Sequence, residues 1–202
     1  MRILLTSIGI FLFIGCASYP KKNGFTTQTS LKSETINPYF SDILKDYVYK
    51  AKIDAFGNSF GGLFIVKKLS ENHHRIVFTT EMGNTILDFE FKGQNLKIHR
   101  ILPEMDKKLL INVLKRDFLA LISEKPEIVK VFSKGEKMLI GAEVLSKKHR
   151  YWIADGKLTK IARTSGGKEK VTFLFSRIND NIVEEIQISH QSFDLKIELK
   201  AL

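Results

Sequence analysis

The chain of 202 residues carries a single cysteine, Cys16, and is short of acid: 22 Asp and Glu stand against 32 Lys and Arg, for a net charge of +10. A lone thiol excludes an internal disulfide and any metal site that needs two or more cysteines. Its five histidines, His73, His74, His99, His149 and His190, show no HExxH or related ligand spacing. There is no GxSxG elbow and no GxxxxGK phosphate loop, and Gly57 to Gly62 reads as a glycine-bearing hairpin. These absences leave nothing that argues for an enzyme, a resident metal or another cofactor. The His73-His74 pair falls at an expected turn, where a solvated pair is the ordinary outcome.

The N-terminus is more specific. Met1-Arg2 precedes an apolar run from Ile3 to Gly15, broken only by Thr6 and Ser7. One positive charge and a short apolar stretch form the pattern of a secretory signal. The run is shorter than the roughly 20 residues an ordinary membrane-spanning helix needs. It ends Phe13-Ile14-Gly15-Cys16, which resembles the lipobox of bacterial lipoproteins, where a small residue precedes the acylated cysteine. That resemblance implies cleavage before Cys16, acylation of Cys16 and attachment to the periplasmic face of a membrane. The alternative is a buried cysteine in an uncleaved anchor. Several acyl chains would hold a domain firmly where one binds reversibly. Ala17 stands where an Asp favours inner-membrane retention in enteric bacteria, so by that resemblance it permits release to the outer membrane, the location expected. An exported, anchored chain does not meet nucleic acid. The basic groups Lys67-Lys68, Lys107-Lys108 and Lys147-Lys148-His149-Arg150 then read as a solvated surface or as attraction to anionic headgroups.

The organisation that follows is a signal at 1–15, the lipidated cysteine and a flexible, Ser/Thr/Lys/Asn-rich tether at 16–36, and one domain at 37–202. Asn37-Pro38 suits a helix start, which predicts a short helix from Tyr39 to Lys45. From Tyr47 the apolar period becomes two: Tyr49, Ala51 and Ile53 alternate with Lys50, Lys52 and Asp54, and Phe193, Leu195, Ile197 and Leu199 alternate with polar residues. About eleven strands are expected, near 47–56, 59–68, 74–80, 84–92, 95–102, 127–132, 137–145, 149–154, 157–163, 169–176 and 182–200, the last a hairpin that adds one more. A single long helix interrupts them within 103–124, with Leu110, Leu114, Phe118, Leu121 and Ile122 at helical spacing before Pro126.

The fold class expected is mainly β: an antiparallel half-open barrel of about eleven strands with a helical lid over its concave apolar face. Such a sheet can enclose a lipid-sized cavity. Phe64, Phe78, Phe89, Ile98, Phe173, Phe175 and Leu195 are the candidates to line it, and the same residues suit an ordinary core.

The stretch Arg75 to Glu90, with its turn Thr80-Glu81-Met82-Gly83-Asn84-Thr85, resembles the centre of the outer-membrane lipoprotein receptor LolB. Asp117 to Ile122 resembles the end of that family's covering helices, and Ile186 to Ile188 with Leu195 to Leu199 resembles its last two strands. The resemblance implies an eleven-stranded half-barrel that takes the acyl chains of lipoproteins from a LolA-like periplasmic carrier and delivers them to outer-membrane lipid, as a monomer. Met82, followed by Gly83, matches the projecting leucine that the family uses in delivery. Glu81 stands where the family has proline, and 103–124 supplies one helix where the family has two. The reading from another class is a structural or assembly lipoprotein with a filled barrel that binds a protein partner.

Overall fold

The structure, a computed structural model, describes residues 18–28 and 35–202. The 1–15 signal and Cys16 lie outside the described residues. A helical turn, α1 (Tyr19–Lys22), and a short strand, β1 (Thr26–Gln28), come first. A meander follows: β2 (Asp46–Ala55), β3 (Asn58–Ser70), β4 (His73–Thr79), β5 (Thr85–Lys92) and β6 (Asn95–Ile101). Helix α2 (Lys108–Ile122) leads to a second meander: β7 (Glu127–Lys134), β8 (Lys137–Val144), β9 (Lys147–Ala154), β10 (Lys157–Ser165), β11 (Lys168–Asn179), β12 (Ile182–His190) and β13 (Leu195–Ala201).

All pairings are antiparallel, in one thirteen-stranded sheet of order β1-β7-β8-β9-β10-β11-β12-β13-β2-β3-β4-β5-β6. The two meanders join where β13 pairs with β2, Ile197 opposite Ile53. β1 and β6 are left as the two edges, so the sheet is open rather than closed. The expected count of about eleven is exceeded because the last stretch is two strands and because β1 joins the edge. Asp155-Gly156 and Gly166-Gly167 each occupy a two-residue turn, as their composition predicts.

Alternation in sequence becomes alternation in burial. On β2, Tyr47, Tyr49, Ala51, Ile53 and Ala55 are buried while Lys50 and Lys52 face water. β8 departs from this pattern: Leu139, Ile140, Gly141 and Ala142 are buried in succession, as happens when both faces of a strand are covered.

Helix α2 connects β6 to β7 and turns Leu110, Leu114, Phe118 and Leu121 into the main core. Its N-cap, Lys107, makes no side-chain cap bond, and no acid stands in the first turn to complement the dipole. The C-terminal end is held differently. Asn37 Nδ2 donates to the Leu121 carbonyl at 2.6 Å, and the Ile36 and Asn37 amides donate to the Glu124 carbonyl. Asn37 therefore serves the end of α2 rather than the start of a helix at Tyr39–Lys45, which does not form. Residues 39–40 and 43–44 are turns instead, with Tyr39 and Phe40 buried. Its Oδ1 accepts from the Tyr39 amide, the local bond that turns the chain there.

The expectation of a loose tether is corrected over residues 18–28. Thr26, Thr27 and Gln28 pair with Ser133, Phe132 and Val131 of β7. Tyr19 and Phe25 are buried with Phe132, Leu139 and Trp152 in a second, small apolar cluster. Among the described residues no helix is long and apolar enough to cross a membrane.

Candidate functional site

The concave face holds six of the seven residues expected to line a cavity. Phe64, Phe78, Phe89, Phe173, Phe175 and Leu195 are buried in the main core. Phe64 and Phe78 lie opposite each other on β3 and β4. Phe173 and Phe175 face Ile188 and Ile186 across β11 and β12, and Leu195 faces Ala55. Ile98 is the correction. It pairs with Phe89 but remains 39% exposed. β6 is an edge strand, its register slips between Asp88 and Phe89, and most of its residues meet water.

These aromatics are brought together by a residue from the lid. The Phe118 ring sits 5.3 Å from Phe64 and 6.2 Å from Phe89, centroid to centroid, in tilted or edge-on geometries. Such pairs contribute roughly 0.5–1.5 kcal/mol beyond area burial. A second insert comes from the segment before β2. Tyr39 packs on Phe175 at 5.1 Å, and its hydroxyl donates to the Leu158 carbonyl. Burial pushes that hydroxyl's pKa up to about 12. Sequence periodicity marks Phe118 as a helix residue, whereas nothing in the pattern around Tyr39 announces a plug.

Two hollows lie beside the segments that cover the sheet. One of about 170 Å³ lies under the 35–39 segment, lined by Ile36, Tyr39, Ile128, Met138, Ile140 and Leu158 among others. One of about 330 Å³ lies at the C-terminal end of α2, where Phe91, Leu119 and Ile122 meet His74, Glu124 and Glu143. Ligand pockets commonly run from about 300 to 1,000 Å³. The hollow under the 35–39 segment is therefore small, and both are mixed in character, the smaller one also bordered by Thr35, Lys157, Asp180 and Asn181. Admitting a long hydrocarbon requires α2 or the 35–40 segment to move.

Charged groups fasten these covers. His190 Nε2 on β12 meets Asp117 Oδ2 on α2 at 2.6 Å, both buried. Burial pushes the Asp117 carboxyl upward, against the bond and charge of His190 and the nearby Arg163 and Arg116. Lys68 donates to Glu124 at 2.9 Å beyond the end of the helix. The His73-His74 pair is not solvated as expected. His74 is buried, with Nε2 at 3.1 Å from the Phe40 carbonyl, and burial lowers its pKa. His73 lies 2.8 Å from Glu90 on the other face of β4. Among the described residues no group of three or more His, Cys, Asp and Glu is placed to hold a metal.

The β4–β5 turn is the contrasting feature. Met82 is 92% exposed at its tip. The turn is pinned by backbone bonds from Thr80 to Asn84 at 2.8 Å and from Gly83 to Thr80 at 2.9 Å, and by the Asn84 amide on Thr80 Oγ1. Gly83 takes φ +85°, a conformation that suits glycine, with open space around it. At the base of the turn, β3 runs so close to Thr79 that a side chain on Gly62 would collide with the Thr79 carbonyl.

No protein-family model matches the chain, and no curated protein matches it. Among solved structures, a LolA superfamily protein from Nitrosomonas europaea superposes with a TM-score of 0.52, over 83% of this chain and 88% of its own, at 9% sequence identity. The fold is LolA-like. A DUF1329 family protein from Desulfovibrio piger gives a TM-score of 0.40 over 78% of this chain and 83% of its own, at 8% identity, too loose to bear on the site. The likeness is to the LolA superfamily in its fold. The finer resemblance to LolB rests on residues 75–90 and the other matched stretches of sequence.

Proposed function

We propose that this protein is an exported lipoprotein, acylated at Cys16 and held at the outer membrane, whose LolA-like half-barrel handles acyl chains of lipoproteins in the manner of LolB. The observation that carries the reading is the β4–β5 turn. A large apolar side chain held out in water on a pinned turn forgoes about 1.5–3 kcal/mol of burial. Met82 is flexible and polarisable, which suits it to an irregular apolar partner such as a bilayer. The LolA-like fold supports the reading, since it supplies a concave apolar face under a helix. The uncapped N-terminal end of α2 supports a lid that can be displaced. In this reading a LolA-like carrier is the donor, α2 and the 35–40 segment give way to the incoming chain, and Met82 contacts outer-membrane lipid at delivery.

The test is Met82→Glu, which leaves an exposed position exposed. Its melting temperature should be unchanged while its transfer of an acylated lipoprotein into liposomes drops at least several-fold. Transfer at the wild-type rate would remove Met82 from the mechanism.

A second reading has its own observation. Phe118 already occupies the space between Phe64 and Phe89. A half-barrel permanently filled in this way would be an assembly lipoprotein that binds a protein partner. Purified protein from residue 17 onward separates the two. Co-purifying lipid, or uptake of a hydrophobic dye, supports acyl binding, and a lipid-free protein that takes up no dye supports the filled barrel.

A further inference from the structure

The continuous apolar run of β8 needs a partner on the outer face of the sheet. Leu139 pairs with Phe132 on one side and Trp152 on the other, giving an apolar stripe across β7, β8 and β9. What covers it is the chain that follows the lipobox. Phe25 packs edge-on to Trp152 at 5.1 Å, and Tyr19 does so at 6.2 Å. Trp152 Nε1 donates to the Tyr19 hydroxyl at 3.2 Å, and that hydroxyl donates to Glu169 on β11. Lys134 donates to the Asn23 carbonyl at 3.0 Å, and β1 adds its ladder to β7.

We propose that this segment is a docked anchor, so that acyl chains on Cys16 leave the domain at a fixed place and hold one face of it against anionic phospholipid headgroups. The proposal rests on the reading that Cys16 is acylated. Only three residue steps separate Cys16 from Tyr19, a reach of at most about 11 Å. A free tether over 16–36 would instead reach about 70 Å when extended. The face beside Tyr19 suits a headgroup layer. A depression of about 600 Å³ is lined by Tyr19, Lys22, Lys168, Lys170, Gln191 and Ser192. Its acid, Glu169, is already engaged by Lys160 at 2.7 Å and by Tyr19. Lys22, Lys168 and Lys170 are left without an acidic partner among the described residues, a cationic rim of the kind that gathers anionic lipid.

The test uses the full acylated protein in vesicles of phosphatidylethanolamine and phosphatidylglycerol. Acylation consumes the native thiol, so one introduced cysteine carries a fluorophore: Ser192→Cys in the depression, or Lys157→Cys at the far end of β10. A headgroup-borne quencher should quench the label at 192 several-fold more than that at 157. The double variant Tyr19→Ser, Phe25→Ser should erase the difference, and vesicles without phosphatidylglycerol should reduce it. Equal quenching at both sites of an acylated protein overturns the docked anchor and leaves the proposed function standing. A difference undiminished in vesicles without phosphatidylglycerol overturns the headgroup role. A mass spectrum showing no acyl group on Cys16 overturns both the docked anchor and the lipoprotein reading.

Discussion

His190 on β12 holds Asp117 of α2 at 2.6 Å, and both side chains are shut away from water. This contact ties the lid to the sheet with a polar bond in a seam where Leu109, Val113 and Phe193 meet Arg116 and Arg163. His190 Nδ1 is buried without a partner, so the pair's desolvation is offset by one bond and by the nearby charges of Arg163 and Arg116. Breaking such a pair from one side strands the other group. His190→Leu should lower stability by about 3 kcal/mol, read as a drop in the denaturant midpoint. The double variant Asp117→Leu, His190→Leu should recover most of that loss, since apolar replacement of both partners is often neutral. A double variant as unstable as the single one would show that the contact holds α2 in a way that apolar packing cannot replace.

Phe118 packs the lid against Phe64 and Phe89 of the sheet. Truncation to alanine leaves a void between Phe64 and Phe89, and Phe→Ala changes in cores cost about 3–5 kcal/mol. Phe118→Ala should therefore melt well below the wild type. If α2 is a displaceable cover, the same variant should take up a hydrophobic dye more readily at temperatures where it remains folded. A folded variant with no added uptake would point to a core that closes over the void.

The strands were legible because their period of two survives in burial, as on β2, where every second residue is inside. The long helix was legible from Leu110, Leu114, Phe118 and Leu121. What escaped sequence reading depends on partners far along the chain. Asn37 looks like a helix start until Leu121, 84 residues away, is seen to need a donor. Tyr19 and Phe25 are isolated apolar residues in a polar stretch, and only Trp152 and its neighbours explain them. Ile98 has the right period and the wrong place, because periodicity cannot tell an edge strand from a covered one. The six other cavity candidates lie on the concave face, but their pattern could not say that Phe118 and Tyr39 would fill the space beside them.

The base of the Met82 turn offers a sterically clean test. A Cβ on Gly62 would stand 1.8 Å from the Thr79 carbonyl oxygen, and backbone cannot step aside as a side chain can. Gly83 meets no such obstacle; a side chain there has open space but must adopt φ +85°. Gly62→Ala should cost more than the 1–2 kcal/mol or so expected for a left-handed residue at Gly83→Ala. Thermal melting of the two variants ranks them, and the reverse order would mean that β3 relaxes away from Thr79 at little cost.

His149 should make the protein sensitive to mild acid. It is buried on β9, and burial lowers its pKa to about 4 against the opposing bond from Nδ1 to the Lys147 carbonyl at 2.9 Å, with the charge of Arg163 adding to the depression. In the unfolded chain the same imidazole takes its proton near pH 6.5. As pH falls below 6.5, the unfolded state binds a proton that the folded state refuses, so stability declines until about pH 4, where the folded protein binds it too. The loss across that window is on the order of 3 kcal/mol from this residue. His74 is depressed in the same direction by burial and adds to the slope. His149→Asn, whose amide can still donate to the Lys147 carbonyl, should flatten the decline between pH 6.5 and 4 without abolishing it. Denaturant unfolding at half-unit pH steps measures both slopes. Parallel curves for the two proteins would mean that the folded state admits the proton on His149 after all, through water reaching the ring.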